Sequence, residues 1–114
     1  FTIIDTINNM SVPVHTICTG MVASAGTLIS LAGKKRMMTK NAYMLIHELR
    51  SASWGKYSEL QDDYANSTLM MEHIKKYYTD NTKILEDDLD EILRKDLYWN
   101  ADKCLETGLI DKII

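Results

Sequence analysis

The run Gly20-Met21-Val22-Ala23-Ser24-Ala25-Gly26 constrains the fold of this chain more than any other stretch. Before it, Val14, Ile17 and Cys18 read as a buried strand; after it, Thr27-Leu28-Ile29-Ser30-Leu31-Ala32 reads as an apolar helix ending at Gly33. The pattern predicts a β-to-α connection with Ser24 at the turn. The first turn of a helix has amides without intrahelical partners and carries the positive end of the dipole. A hydroxyl placed there can attack a carbonyl whose developing oxyanion meets those N–H groups. Ala23, Ala25, Gly20 and Gly26 leave room for a substrate backbone beside Ser24. The same small residues also suit tight packing of a buried helix, and the run alone does not separate the two readings.

A length of 114 residues gives room for one domain with one core. Hydrophobic residues make up 46% and charged residues 25%, so neither disorder nor a fibrous class is indicated. The net charge of −3 and the absence of any basic block longer than Lys34-Lys35-Arg36 argue against nucleic acid as a partner. No apolar run approaches the roughly 20 residues that a membrane-spanning helix needs. Cys18 and Cys104 sit in apolar surroundings with no C-x-x-C or Cys/His cluster, so two buried free thiols in a reducing compartment are expected, and no metal. The chain opens without an initiating Met on Phe1-Thr2-Ile3-Ile4-Asp5-Thr6-Ile7, already an amphipathic helix, and is expected to be part of a longer protein.

Ile3, Ile4 and Ile7 share one face of that first helix, and Pro13 marks entry to the strand from Val12 to Cys18. Alternation places His15 opposite Val14, as a cross-strand or surface histidine. Lys34-Lys35-Arg36 reads as a polar loop, Arg36-Met37-Met38-Thr39 as a short strand and Lys40-Asn41 as a turn. Ala42-Tyr43-Met44-Leu45-Ile46 is almost wholly apolar and predicts a strand buried on both faces. His47 emerges at its end, where α/β proteins place ligands. Residues 48 to 56 form a flexible connection carrying Trp54, followed by a long helix from about Tyr57 to Asn81 with Leu60, Tyr64, Ser67, Met71, Ile74 and Tyr78 on one stripe. Met70, Met71, Tyr77 and Tyr78 exceed what one stripe needs, as for a helix that meets a partner subunit. His73, among Glu72, Lys75 and Lys76, is expected to be solvated. Leu85 to Leu93 reads as a short acidic helix, Leu97-Tyr98-Trp99 as an aromatic strand, and Asn100 as the cap of a last helix over Ala101 to Thr107 closed by Gly108. Leu109 to Ile114 reads as a closing strand.

The ordered set Ser24, His47, Asp96 resembles the ClpP family of ATP-dependent serine peptidases, over nearly the whole chain. Ile4-Asp5-Thr6-Ile7 is similar to the family's helix before the nucleophile strand, and Thr16 to Gly26 to its nucleophile segment. Met44-Leu45-Ile46-His47 is similar to the segment carrying the base. Asp96-Leu97-Tyr98-Trp99-Asn100-Ala101 is similar to the aspartate segment, and Gly108-Leu109-Ile110-Asp111-Lys112 to the closing strand. The resemblance implies an α/β, ClpP/crotonase-like fold: stacked strands, surrounding helices, and one long protruding handle-type helix over about residues 57 to 81. It implies a single domain over residues 1–114 lacking the family's N-terminal portion. Ser24 would be the nucleophile, His47 the general base, Asp96 the residue that orients it, and the backbone N–H of Ala25 one oxyanion donor. The implied protein is a cytoplasmic serine endopeptidase acting on unfolded polypeptide. It assembles as a homo-oligomer of heptameric rings, one or two stacked, fed by an AAA+ unfoldase. The peptidase needs no cofactor, ATP being consumed by the partner.

This chain departs from the family's pattern in three places. The Gly-rich loop supplying the second oxyanion donor would lie before Phe1. After the base, Glu48-Leu49 and Ser51 to Gly55 with Trp54 stand where the family has Gln-Pro and a Gly-rich strand, and the loop between Gly33 and Asn41 is short. Such divergence fits a distant branch, for example a viral one. A catalytically silent ring subunit that keeps the fold for assembly is the competing reading. A crotonase-type enzyme acting on acyl-CoA would need an acid or base pair for water addition, and the sequence offers none.

Overall fold

A computed structural model describes all 114 residues as five helices and two small sheets. The elements run α1 (Thr2–Asn8), β1 (His15–Cys18), β2 (Met21–Ala23), α2 (Ala25–Leu31), β3 (Lys35–Met38), β4 (Tyr43–Leu45), α3 (Tyr57–Asn81), α4 (Glu86–Arg94), β5 (Tyr98–Asn100), α5 (Ala101–Glu106) and β6 (Lys112–Ile113). This is the mixed α/β architecture expected of a ClpP-like fold. One sheet is wholly parallel in the order β1-β3-β6; the other has the order β2-β4-β5, with β2 and β4 parallel and β5 antiparallel.

The core lies between these layers. Met38, Met44, Leu89, Cys104, Leu109 and Ile110 are fully enclosed, with Tyr78 from α3 packed among them. Apolar residues in α4 recur at three- and four-residue steps, so Leu89 and Leu93 reach this core while its acidic side faces out. Asn100 caps α5 by accepting the Lys103 amide at 2.9 Å, and Gly108 takes the positive φ that ends this helix. Both thiols are free and buried.

Several elements differ from the sequence expectation. Only Cys18 of the β1 trio is buried: Val14 is half-buried and Ile17 is 54% exposed, because one face of this three-stranded sheet carries no covering layer. For the same reason β4 is not enclosed on both sides; Met44 points inward while Tyr43 stays exposed. Met21–Ala23 forms a strand of its own, since pairing with β4 supplies backbone partners that a turn would lack. The closing strand shrinks to Lys112–Ile113, while Leu109 and Ile110 fill the core from a turn. β3 begins one residue earlier than expected, at Lys35, and Arg36 lies within it. Its guanidinium donates to the Asn81 carbonyl at 2.7 Å and pairs with Asp111 at 3.4 Å, pinning the sheet to the end of α3. His73 is exposed as expected, yet the Phe1 ring stacks on it with centroids 4.3 Å apart.

The 25-residue α3 agrees with its predicted limits, but its stripe is only partly used. Tyr78 is buried and Met71 and Ile74 are half-buried, whereas Leu60, Tyr64 and Leu69 are exposed. A helix of this length spans roughly 37 Å, and its first half projects beyond the core. The radius of gyration of 15.4 Å reflects that projection, since a compact domain of this size has about 13 Å.

Gly33 follows α2 where the chain presses against Thr16, whose hydroxyl donates to the Ser30 carbonyl at 2.8 Å. A Cβ at position 33 would overlap the Thr16 side chain. Gly33→Ala should lower stability by ~1–3 kcal/mol in urea unfolding, the usual cost of overpacking. Burial raises both thiols, Cys104 to about 12 and Cys18 above its ordinary 9.0. Because the folded values lie above the unfolded one, thiol burial favours the fold at neutral pH and the benefit is lost as pH rises past about 9. Stability should therefore fall with pH above that point, by up to about 1.4 kcal/mol per pH unit for each thiol. Neither cysteine should react with a disulfide reagent at pH 8 until the chain unfolds.

Candidate active site

β2 delivers Ser24 to the start of α2, and the backbone there is strained. Ser24 has φ 55° and ψ −119°, the only positive φ outside glycine. A side chain in that region costs on the order of 1–3 kcal/mol and persists only where the surroundings hold it. Here they do so through one acceptor. The Ser24 amide donates to the Leu45 carbonyl at 3.1 Å, and the buried Thr27 hydroxyl donates to the same oxygen at 3.4 Å. The Thr27 amide in turn donates to the Ser24 carbonyl at 3.1 Å. The hydroxyl of Ser24 makes no capping bond and its residue is exposed, so it is available to a reactant. Gly26 packs closely on Val22, a Cβ there falling 3.1 Å from Val22 Cγ1, which keeps the first turn of α2 tight against β2.

The segments that carry the other two residues start from the same end of this sheet. Ala23 pairs with Leu45 in the parallel ladder, so Ser24 leaves its strand level with the end of β4. Leu45 pairs with Tyr98 at the last rung of the antiparallel ladder, so the segments carrying His47 and Asp96 leave the sheet from the same end. The Glu48 amide donates to the Leu93 carbonyl at 2.8 Å, stitching the His47 segment to the end of α4 just before Asp96.

The side chains themselves do not form a hydrogen-bonded set. His47, half-buried, directs Nδ1 at the Glu48 carbonyl oxygen, 2.7 Å away. Asp96, exposed, accepts from the Arg50 guanidinium at 3.0 Å. No hydrogen bond links Ser24 to His47 or His47 to Asp96. His15 is exposed on β1, remote in the sheet order from this edge. Arg50 and the Glu48 carbonyl were not singled out in the sequence. Both lie in an irregular segment where no periodicity announces a contact, and the cation's position three residues after His47 was the only available signal.

A serine held at positive φ on a strand-to-helix elbow is an arrangement known from enzymes of acyl transfer. The Clp protease family model matches residues 1–114, the whole of this chain. The chain belongs to the Clp protease family, a family of peptidases that generally form oligomeric rings with ATPase partners. No helix is long and apolar enough to cross a membrane.

Ser24→Gly should stabilise the chain by ~0.5–2 kcal/mol, strain relief less the extra freedom glycine gains when unfolded. Ser24→Ala, which keeps the Cβ, should leave stability near wild type. Paired thermal or urea unfolding of the two variants checks the difference.

Proposed function

We propose that this chain is a serine endopeptidase in which Ser24 is the nucleophile, His47 the general base and Asp96 the residue that orients it. The observation that carries the reading is the strained elbow, which holds an uncapped hydroxyl at the sheet edge reached by the ends of β4 and β5. Ser24 Oγ attacks the scissile carbonyl carbon as His47 Nε2 takes its proton; the C–N bond then breaks and the proton passes to the leaving amine. Water repeats the sequence on the acyl-enzyme and regenerates the hydroxyl. The amide of Ala25 faces the developing oxyanion, a donor type worth about 3 kcal/mol in other serine proteases.

With Nδ1–H donated to the Glu48 carbonyl, His47 already carries the tautomer whose Nε2 can accept a proton. A rotation that passes Nδ1–H to Asp96 would complete the triad without changing that tautomer. Substrate is unfolded polypeptide, threaded into a homo-oligomeric ring chamber by an AAA+ unfoldase that consumes the ATP, in the cytoplasm. Support for assembly comes from apolar surface left open on one face of the β2-β4-β5 sheet at Met21, Tyr43 and Tyr98, and along α3.

The second reading is a catalytically silent ring subunit, favoured by the absence of hydrogen bonds among the three side chains. Labelling with a fluorophosphonate probe separates the two. The Oγ–P bond forms as fluoride leaves, which needs an activated serine. A stoichiometric adduct on the full-length protein, lost in Ser24→Ala and slowed on the order of 10⁴-fold in Asp96→Asn, is expected by analogy with other triads. A folded, assembled sample that gains no adduct mass leaves the silent subunit as the answer.

A further inference from the structure

Arg50 stands three residues beyond His47, in the segment between β4 and α3 that has no regular structure. The segment is nevertheless anchored. The Leu49 amide donates to Met71 Sδ at 3.2 Å, and the Ser53 hydroxyl donates to the Asp63 carboxylate, both partners being on α3. Between these two tethers the Arg50 guanidinium lies 3.0 Å from Asp96 Oδ2. The other cations near Asp96 in sequence are not so placed: Lys95 pairs with Glu91 at 3.4 Å, and Arg94 forms no ion pair.

We infer that Arg50 is a positioning residue that restrains Asp96, holding it off His47 until the segment shifts. This rests on the triad reading above. The physical argument has two parts. One carboxylate oxygen of Asp96 is taken by Arg50 while His47 Nδ1 faces the Glu48 carbonyl, so both partners of the missing Asp–His bond are committed elsewhere. Also, His47 becomes a cation when it accepts the Ser24 proton, and a guanidinium beside Asp96 opposes that charge where the carboxylate is needed to stabilise it. Because the Arg50 and Asp96 side chains are 75% and 57% exposed, the restraint is modest and screened by salt.

The test is the rate of fluorophosphonate labelling of the full-length protein, with Ser24→Ala as the blank. In about 50 mM salt, Arg50→Leu and Arg50→Gln should label about two- to fivefold faster than wild type, the range an exposed ion pair allows. Arg50→Lys should stay within about twofold of wild type, since a single-donor contact is one an ammonium can replace. The gain should close at about 1 M salt, where the Debye length is about 3 Å; a group acting only on folding would not show this dependence. Labelling of Ser24 that is no faster without Arg50, or faster by a factor that salt does not change, overturns the restraint and leaves the triad standing. No adduct in any of these proteins overturns the triad, and the restraint with it.

Discussion

The carbonyl oxygen of Leu45 is the point on which the candidate site depends. It accepts the amide of Ser24 and the hydroxyl of Thr27, so the end of β4 and the start of α2 are joined at one atom. Thr27 is fully buried, which makes its hydroxyl an obligate donor: left unpaired there it would cost a few kcal/mol. The pairing holds Ser24 at a φ it would not choose and ties the elbow to the end of β4, two residues before His47. Placing the strain at the residue with the reactive hydroxyl is a known pattern of functional sites, where packing elsewhere in the fold offsets the cost.

Around that joint the chain is unevenly built. The layers below it are well filled, with Met38, Met44, Leu89 and Leu109 wholly enclosed and Arg36 tying β3 to α3 and to Asp111. Above it, the segment carrying Glu48 to Gly55 has no sheet partner and is held by the Glu48 amide's bond to the Leu93 carbonyl of α4 and by side-chain contacts with α3. Support is rigid beneath Ser24 and loose beyond His47, and the side chains of Ser24, His47 and Asp96 remain unbonded to one another. The open apolar residues on α3 and on the β2-β4-β5 sheet tell the same story at larger scale: this fold leaves surface that a lone chain does not cover, as befits a family that generally assembles into rings.

Much of this was legible in the residues. The long helix, the acidic helix and the Asn100 cap follow from periodicity and capping chemistry, which are local and act at short range. Ser24 was recognisable as a turn residue because small neighbours and a change of hydrophobic period coincide there. Its relation to Asp96 is not legible in the residues, since the segments carrying the two reach one end of a sheet only through strands drawn from distant parts of the chain; only the resemblance to a family links them. Burial was misjudged at Ile17 and Tyr43 because an apolar strand residue looks alike whether its face is covered or bare.

By itself, then, the sequence determined the order and type of most elements, β2 excepted, and the chemical character of Ser24, His47 and Asp96. Each of those depends on neighbours a few residues away. Only the tertiary structure decided which face of each strand is covered, that Arg36 pins β3 to the end of α3, that Ser24 sits at positive φ, and that Arg50 occupies Asp96. These are matters of register and side-chain competition between segments far apart in the chain. No local pattern encodes them, because their energies exist only once the strands are paired.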